Sequence, residues 1–414
     1  MHQIEILQAE NSDPLVAATI ALAAQRGADG LSSRAVATFA GVAPSSINYR
    51  HGSLSGLVSA AGLAGDAARA AAWRAAMAEL EELRLAPDDF GPAAFTVIRG
   101  QIERLRGEET LFWHEAIAGC RGHGELASLG ALDAEAAFWS RLIERCGLQD
   151  LQADIMQGFA LALRFAWLTF SKPDGFDPWA QALVMRFAER ACGGHPTRAT
   201  DCAWRARTEA EADPGKAGQA PGHDTAQKII EATIALIMSQ GAGAATHRAV
   251  AAKAGLSVSS VQHFFGTRSA ILLAAFRSIY DAARDRAFPP QLPVASLDPD
   301  ELFSTLTAGR DTSPAIVEAD FAAMHGLILS AAEQDETRPI ANGLIARTGA
   351  TSMGVLAALK HPRGAIGRLD AQILSMTLGQ TAILGLAQRS RAGTHGPGDT
   401  LADFGQRVTR ALFA

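Results

Sequence analysis

The chain of 414 residues has only two tyrosines and four cysteines, and no run in which polar and apolar residues alternate as they do in a half-buried strand. Alanine is frequent instead. These features argue against a sheet-rich fold and predict an all-α protein. The length exceeds that of one ordinary domain and is enough for two to four.

The cysteines include no C-x-x-C pair, so the sequence indicates neither a zinc nor a redox site, and we expect reduced, buried thiols in a cytoplasmic protein. They are Cys120, Cys146, Cys192 and Cys202. The N-terminus lacks a basic segment followed by an apolar run, so we expect no signal peptide. The longest apolar stretch, Ile155 to Phe170, is interrupted by Gln157 and Arg164 and is too short for a membrane span. It predicts a buried helix, and no membrane partner is expected.

Enzyme signatures are absent as well. The sequence has no H-E-x-x-H motif, no P-loop and no G-x-G-x-x-G between a strand and a helix. Gly52 to Gly56 imitates a nucleophile elbow, but its middle residue is Leu54 rather than serine. We therefore predict a protein that is not an enzyme and that uses no cofactor or metal.

What the sequence does contain is the stretch from Thr246 to Arg268, which predicts two short helices joined by a tight turn. Thr246 can cap the first helix, Gly255 can end it with a positive φ, and Ser257 can cap a second helix over 258–265. Two helices joined by a short glycine turn form the helix-turn-helix pattern, whose second helix enters the major groove of DNA.

The same stretch occurs 214 residues earlier, without a gap. Arg34 to Ala37 repeats Arg248 to Ala251, and Ala18 to Leu22 is identical to Ala232 to Leu236. Because chance does not produce this register twice, the sequence indicates an internal duplication of a three-helix DNA-binding unit.

The formal net charge of -6 argues against a DNA-binding protein until it is divided along the chain. Residues 14–60 carry +2 and residues 224–277 carry +3, which leaves -11 for the remainder. Basic heads on acidic bodies suit a protein that docks one face on phosphate. A charge of this size over fifty residues is also ordinary, so this observation is weak by itself.

Composition and helix breaks divide the chain into five predicted segments. They are a first head (1–60), a first helical body (61–193), a linker (194–223), a second head (224–275) and a second helical body (276–414). The linker is rich in glycine and proline, and Trp204 within it suggests a short docked helix. The terminal helices of the bodies, about 150–192 and 366–413, are predicted to pack as a four-helix interface.

The segment Gly255 to Arg268, GLSVSSVQHFFGTR, resembles the signature of the tetracycline-repressor (TetR) family. The resemblance covers each head of about fifty residues, whereas the bodies match only in size and helicity. It implies a bacterial regulator that dimerises through its last two helices, binds a pseudo-palindromic operator and releases it when a small molecule enters the body. Here it implies two TetR-like units fused in one chain.

The first copy departs from this pattern at three positions. Arg50 and His51 stand where the family has two aromatic residues, and Leu54 stands where it has a basic one. In the second copy, the pair Phe264 and Phe265 is expected to hold the recognition helix onto its head. Two interpretations of the first head stay open: it is looser, or it reads DNA mainly through Arg50 and phosphate.

Candidate DNA contacts are side chains on both helix-turn-helix copies that suit phosphate oxygens or base edges. In the first head they are Ser32, Arg34, Ser45, Ser46, Asn48, Tyr49 and Arg50. In the second head they are Thr246, His247, Arg248, Ser257, Ser259, Ser260, Gln262, His263, Phe264, Thr267 and Arg268. For each serine, helix capping or plain exposure is an equal alternative. The paired arginines Arg34 and Arg248 could equally hold the heads together through ion pairs.

Candidate ligand-binding residues are aromatic, methionine and histidine side chains of the two bodies. They are Trp113, His114, Trp139, Phe165, Phe321, Met324 and His325. Such residues at helical spacing more often form plain core, and a histidine there is more often satisfied internally.

The leading hypothesis is a TetR-type repressor that acts as a single-chain pseudo-dimer. It binds an asymmetric double-stranded DNA operator and is released by an unidentified small-molecule effector. An alternative arrangement pairs two chains and has four heads. A different class of function is a ligand- or partner-binding regulatory protein in which one or both heads have lost DNA binding.

Overall fold

The computed structural model of the chain describes residues 13–28, 30–122, 126–170, 175–212, 224–285, 297–307, 311–333, 335, 337–392 and 400–414. Within these ranges the regular secondary structure is helical, apart from one isolated bridge between Leu297 and Leu359. The prediction of an all-α fold is therefore confirmed.

The helices of the first half of the chain follow the predicted order. They are α1 (Pro14–Arg26), α2 (Ser33–Ala40), α3 (Ser45–His51), α4 (Leu54–Glu82), α5 (Phe90–Arg104), α6 (Arg106–Cys120), α7 (Gly130–Arg145), α8 (Ala153–Thr169), α9 (Asp177–Ala191) and α10 (Ala203–Ala212). We use first head for α1 to α3 and first body for α4 to α9.

The second half also begins with three short helices and a longer one, but within the described residues its body has more helices than the first. It contains α11 (Asp224–Gln240), α12 (His247–Ala254), α13 (Val258–Phe264), α14 (Arg268–Asp285), α15 (Pro299–Thr307), α16 (Pro314–Ala332), α17 (Arg338–Arg347), α18 (Ser352–Ala357), α19 (Arg368–Gly379), α20 (Thr381–Ala392) and α21 (Leu401–Phe413). We use second head for α11 to α13 and second body for α14 to α21.

The two heads bury the same seven positions when the numbering is shifted by 214. In the first head these residues form one apolar cluster, made of Leu15, Ala18, Leu22, Val36, Ala37, Ile47 and Leu57. Their counterparts, all buried, are Ile229, Ala232, Leu236, Val250, Ala251, Val261 and Ile271. The first head with the start of α4, and the second head with the start of α14, therefore bury corresponding apolar positions.

The turn between the last two helices of each head has the same backbone in both copies. Gly41 ends α2 with φ 69° and ψ 29°, and Gly255 ends α12 with φ 67° and ψ 33°, a left-handed conformation that favours glycine. The amide of Val42 donates to Ala37 O at 3.0 Å, and that of Leu256 donates to Ala251 O at 2.9 Å. The two turns therefore share a backbone conformation and a closing hydrogen bond, although α3 begins one residue later than the position equivalent to the start of α13.

The first body is organised around α8, whose residues from Ile155 to Thr169 are all buried. The prediction of a buried helix at this apolar stretch is confirmed. Its one arginine, Arg164, makes a bidentate pair with Glu135, with Nη1–Oε1 and Nη2–Oε2 distances of 2.5 and 2.8 Å, and its Nε lies 3.1 Å from Glu109 Oε1. A buried guanidinium is tolerated here because two carboxylates neutralise it.

The terminal helices of the two bodies pack against each other. Helices α8 and α9 contact α19, and α9 also contacts α21. Two arginines of α9 converge on one buried carboxylate of α19: Arg186 Nη2 lies 2.7 Å from Asp370 Oδ2, and Arg190 Nε lies 2.9 Å from Asp370 Oδ1. Trp179 Nε1 donates to Gln372 Oε1 at 3.1 Å in the same contact.

The predicted linker is docked on the second body over residues 195–212. Ala365 N donates to Pro196 O at 2.6 Å, and α10 packs on α17. The docking residue is Arg205, which is buried and pairs with Asp201 and Glu209, whereas Trp204 is 49 % exposed. The predicted short docked helix is therefore present, although Trp204 is not the residue that docks it. The rest of the predicted linker, 213–223, lies outside the described residues.

Two local expectations were wrong. The terminal region predicted from 366 contains a break at Gln380 between α19 and α20 rather than one continuous helix. Cys192 is exposed, since it follows the last residue of α9, while the other three cysteines are buried and all four thiols are free.

Among the described residues, α16 is long and apolar enough to cross a membrane. It contacts α6, α11 and α17, and 39 % of its most apolar 18-residue segment is buried within the protein. A single helix of this kind is weak evidence for a membrane span, because core helices of soluble proteins can be as long and as apolar.

Candidate nucleic-acid interface

Helix α13 presents a polar face to solvent and an apolar face to its head. Val261 is fully buried and Phe265, just after the helix, is 7 % exposed. The side chains of Ser259, Gln262 and His263 on the other face are exposed. The helix therefore has the amphipathic form that recognition in a groove requires, with donors and acceptors outward.

Ser257 caps α13 and is exposed, as is Ser259 within the helix, whereas Ser260 is half-buried. Ser257 Oγ accepts from Ser260 N at 3.0 Å and lies 2.8 Å from the hydroxyls of both Ser259 and Ser260. Ser257 therefore caps α13, as the sequence predicts for that residue. Exposed hydroxyl and amide donors at a helix N-terminus also suit phosphate.

The sequence predicts that Arg268 contacts phosphate, but its side chain does not extend into solvent. Its Nη2 donates to Ala242 O at 2.6 Å and its Nε to Ala245 O at 3.1 Å, so the guanidinium ties α14 to the loop before α12. His247 Nε2 lies 3.4 Å from Phe265 O and is half-buried. Both side chains brace the second head.

The remaining candidates of the second head either cap helices or pack against the core. Thr246 Oγ1 accepts from Ala249 N at 3.2 Å, and Thr267 Oγ1 accepts from Ala270 N at 3.1 Å, so both threonines cap helices while staying exposed. Phe264 is half-buried and packs against the core, which fits its predicted role of holding the helix onto the head better than a DNA contact.

Helix α3 has the same two-faced form in the first head. Ile47 is fully buried, while Ser45 and Asn48 are exposed and Ser46 is half-buried. Tyr49 is 91 % exposed. An aromatic side chain left so far in solvent on a recognition helix is typical of a residue that contacts a partner.

The end of α3 is held by an ionic clamp in place of the aromatic pair. Asp13 Oδ1 lies 3.2 Å from Arg50 Nη1 and its Oδ2 lies 3.1 Å from His51 Nε2. Partial burial opposes ionisation of Asp13, but the Leu15 amide, His51 and Arg50 outweigh it and hold the pKa of the carboxyl below its ordinary value. The sequence identified Asp13 only as the cap of α1, which it also is.

The arginines at the start of α2 and α12 point to solvent. Arg34 and Arg248 are exposed, and neither forms an ion pair within the described part of the chain. Ser32 caps α2, since its Oγ accepts from Ala35 N at 3.2 Å. Of the two predicted roles for the arginines, the contact with phosphate stays a prediction and the internal ion pair is not found.

Four of the seven ligand candidates form one aromatic cluster between the bodies. The ring of His325 on α16 stacks on Phe321 at a centroid distance of 3.8 Å and lies 4.6 Å from the ring of Phe165 on α8. Trp113 on α6 is nearly parallel to His325, at 6.0 Å. Phe321 and His325 share one face of α16, but the sequence could not show that this face meets Trp113 of α6 and Phe165 of α8.

The other three candidates have different fates. His114 is exposed on α6, so it does not line a cavity. Trp139 is buried against Trp73 and Phe138, and its Nε1 donates to Glu135 Oε1 at 3.1 Å, so it belongs to the core of the first body. Met324 is 36 % exposed and does line a cavity.

That cavity has a volume of about 320 Å³ and lies between α8, α16, α17 and α19. Burial lowers the pKa of His325 to about 4, so the imidazole is neutral. Because its Nδ1 lies 3.0 Å from Phe321 O, which only accepts, Nδ1 carries the proton and Nε2 is left to accept from Gln380 Nε2 at 3.4 Å. Gln380, Arg347 and Gly379 of this cavity gave no signal in the sequence.

The fold of both heads is thus a helix-turn-helix with an exposed second helix. The family model described as "Bacterial regulatory proteins, tetR family" matches residues 229–275, which cover most of α11, all of α12 and α13, and the start of α14. This match suggests a DNA-binding transcriptional regulator. No curated protein matches the chain.

Proposed function

We propose that the chain is a TetR-type transcriptional repressor of the cytoplasm, in which two helix-turn-helix heads of one polypeptide bind one double-stranded DNA operator. The observation that carries the proposal is the exposed polar face of α13, with Ser259, Gln262 and His263 outward and Val261 buried, inside the segment that matches the family. Recognition helices read base edges with this kind of face.

The duplication of the head supports a second DNA-binding unit. The seven buried positions of the first head correspond one by one to those of the second, and both turns have the same backbone. Tyr49 and Asn48 would then stand where His263 and Gln262 stand. Because these side chains differ, the operator should have two unlike half-sites.

The packing of α8 and α9 on α19 and α21 supports a pseudo-dimer within one chain. The family dimerises through its last two helices, and α8, α9 and α21 stand at such positions, whereas α19 is the third helix from the end. The buried contact of Arg186 and Arg190 with Asp370 makes this interface within one polypeptide. Tethered heads bind a second half-site at an effective concentration of up to about millimolar, without new contacts. The domain boundaries proposed are 1–60, 61–193, 194–223, 224–275 and 276–414.

Release by a small molecule completes the proposal. The cavity beside His325 is walled by α16, and α16 also contacts α11 of the second head. A ligand that favours one position of α16 would change the placement of that head and so the affinity for DNA.

A binding titration against salt tests the proposal. Fluorescence anisotropy of a labelled random-sequence duplex should give a steep fall of log K with log salt concentration, because each neutralised phosphate contributes about 0.9 to the slope. Arg248→Ala should reduce the slope by about 0.9, whereas Arg84→Ala should leave it unchanged. Arg84 is an exposed arginine beyond the far end of α4, about 40 Å along that 29-residue helix from the first head.

The alternative is a ligand- or partner-binding regulator whose heads have lost DNA binding. The observation that favours it is the ion pair of Arg50 with Asp13, because it engages a guanidinium of α3 that could otherwise contact phosphate. This alternative predicts a salt slope near zero and equal retention of the native chain and Arg248→Ala on DNA.

A further inference from the structure

The cavity between the bodies has walls from both halves of the chain. Ala162 and Phe165 come from α8 of the first body, whereas Met324, His325 and Ile328 come from α16 of the second. Its volume of about 320 Å³ is at the lower end of the range for small-molecule sites.

The walls of the cavity are apolar and aromatic. Phe165 and His325 present rings, and His325 stacks on Phe321, with the ring of Trp113 nearly parallel to it at 6.0 Å. Flat, polarizable walls of this kind favour an aromatic ligand, which can stack or meet them edge to face. Met324 adds a thioether, which adapts to ring edges.

The cavity has one buried acceptor without a partner. Gln380 is 2 % exposed, and its Oε1 has no hydrogen-bond partner, whereas its Nε2 faces His325. A buried carbonyl oxygen left unpaired is costly. Because almost none of the surface of Oε1 is accessible, the Gln380 side chain has to turn toward the cavity for a ligand to donate a hydrogen bond to it.

The cavity offers no free charge to an ionic ligand. His325 is neutral, and the cation at the rim, Arg347, is paired with Glu209 of α10 at 2.7 Å. An ion placed here would lose its hydration without gaining an opposite charge.

We propose that this cavity binds one uncharged aromatic molecule per chain, which donates a hydrogen bond to Gln380 Oε1 and stacks on the Phe165–His325 wall. The proposal rests on the proposed function only for its regulatory consequence, the shift of α16 against α11. Ligand binding itself stands on the cavity alone.

Equilibrium dialysis of the full chain with three matched compounds tests the proposal. These are 2-naphthol, an uncharged donor; 2-methoxynaphthalene, of similar shape without the donor; and 2-naphthoate, an anion. We expect 2-naphthol to bind at least about tenfold more tightly than either of the others. In Gln380→Leu the advantage over 2-methoxynaphthalene should fall below about threefold.

A cavity-filling pair of variants locates the site. A Cβ added at Gly379, which lines the cavity, meets nothing within 4 Å, so Gly379→Leu should fold and obstruct the space while Gly379→Ala leaves most of it open. Binding of 2-naphthol should be lost in the first variant and kept in the second, with equal thermal midpoints. Equal binding by native protein and Gly379→Leu, or no binding of any of the three compounds, would overturn the proposal.

The titration with duplex DNA separates this proposal from the proposed function. If the native chain binds 2-naphthol but no duplex at low salt, the ligand site stands and the repressor is wrong. If it binds duplex with a steep salt slope but none of the compounds, only the ligand proposal fails.

Discussion

Asp370 of α19 receives two arginines of α9, and its Oδ2 lies 2.7 Å from Arg186 Nη2 while both side chains are buried. Burial opposes ionisation of Asp370, but the hydrogen bonds from Arg186 and Arg190 outweigh it and hold the pKa of the carboxyl below its ordinary value. The two halves of the chain therefore meet through an ionised, desolvated network.

Asp370→Asn should destabilise the protein by about 3–5 kcal/mol, because it leaves buried Arg190 without a counter-charge and buried Arg186 with only the exposed carboxylate of Glu189. Urea unfolding followed by circular dichroism measures the change. Asp300→Asn is the matched control, since Asp300 pairs with Arg410 on the surface, and it should cost at most about 1 kcal/mol. Equal losses in the two variants would show that the buried network does not hold the halves together.

Arg268→Ala and Arg248→Ala should separate a structural arginine from a DNA contact. Arg268 donates to Ala242 O and Ala245 O, so its loss should lower the thermal midpoint and leave the salt slope of DNA binding intact. Exposed Arg248 should show the reverse, with a slope smaller by about 0.9. A smaller salt slope for Arg268→Ala would instead show that this residue contacts DNA.

Asp13→Ala should loosen α3 and not α13. The loss of the cap of α1 and of both contacts to α3 should cost about 1–2 kcal/mol locally, so amides of α3 should exchange several-fold faster while those of α13 are unchanged. Hydrogen exchange measured by mass spectrometry reports this. Adding Arg50→Phe and His51→Phe, which recreates the aromatic pair of the second head, should restore protection. Failure of both effects would mean that the ionic clamp does not hold α3.

His325 should make the native protein more sensitive to acid. Burial lowers its pKa to about 4 from an ordinary value of 6.5, so between these values the unfolded chain binds the proton more strongly and stability falls as pH falls. From pH 7.5 to pH 5 the native protein should lose about 1–2 kcal/mol more than His325→Phe, which keeps a ring in the stack. Urea titrations at both pH values measure this, and His195→Phe, at an exposed position, should behave as native protein does.

Local signals predicted the heads well and the contacts between distant segments poorly. The hydroxyl caps, the turn glycines and the repeat of 214 residues all act within a few turns of chain, and Thr246, Gly255 and Ser257 are found in their predicted roles. The Asp13 clamp and the meeting of Trp113 with His325 depend on helices brought together from far along the sequence. Periodicity shows which face of a helix is apolar, but not which helix covers it.

Residue type alone missed one contact and misled about another. Trp204 suggested the short docked helix that is present as α10, but the residue that docks it is Arg205, whose charge Asp201 and Glu209 neutralise. Arg268 suggested phosphate because it is basic, yet two carbonyl oxygens lie within its reach. A long cationic side chain bonds to whichever acceptor is near, and only the fold shows which one that is.

The central claim is that one chain carries two DNA-reading heads that act on one operator. Selection of bound sequences from a random duplex pool by the purified native chain tests it most directly. We expect two unlike half-sites at a fixed spacing of about one helical turn, recovered with one chain per duplex. Recovery of a perfect palindrome bound by two chains, or of no sequence at all, would contradict the account.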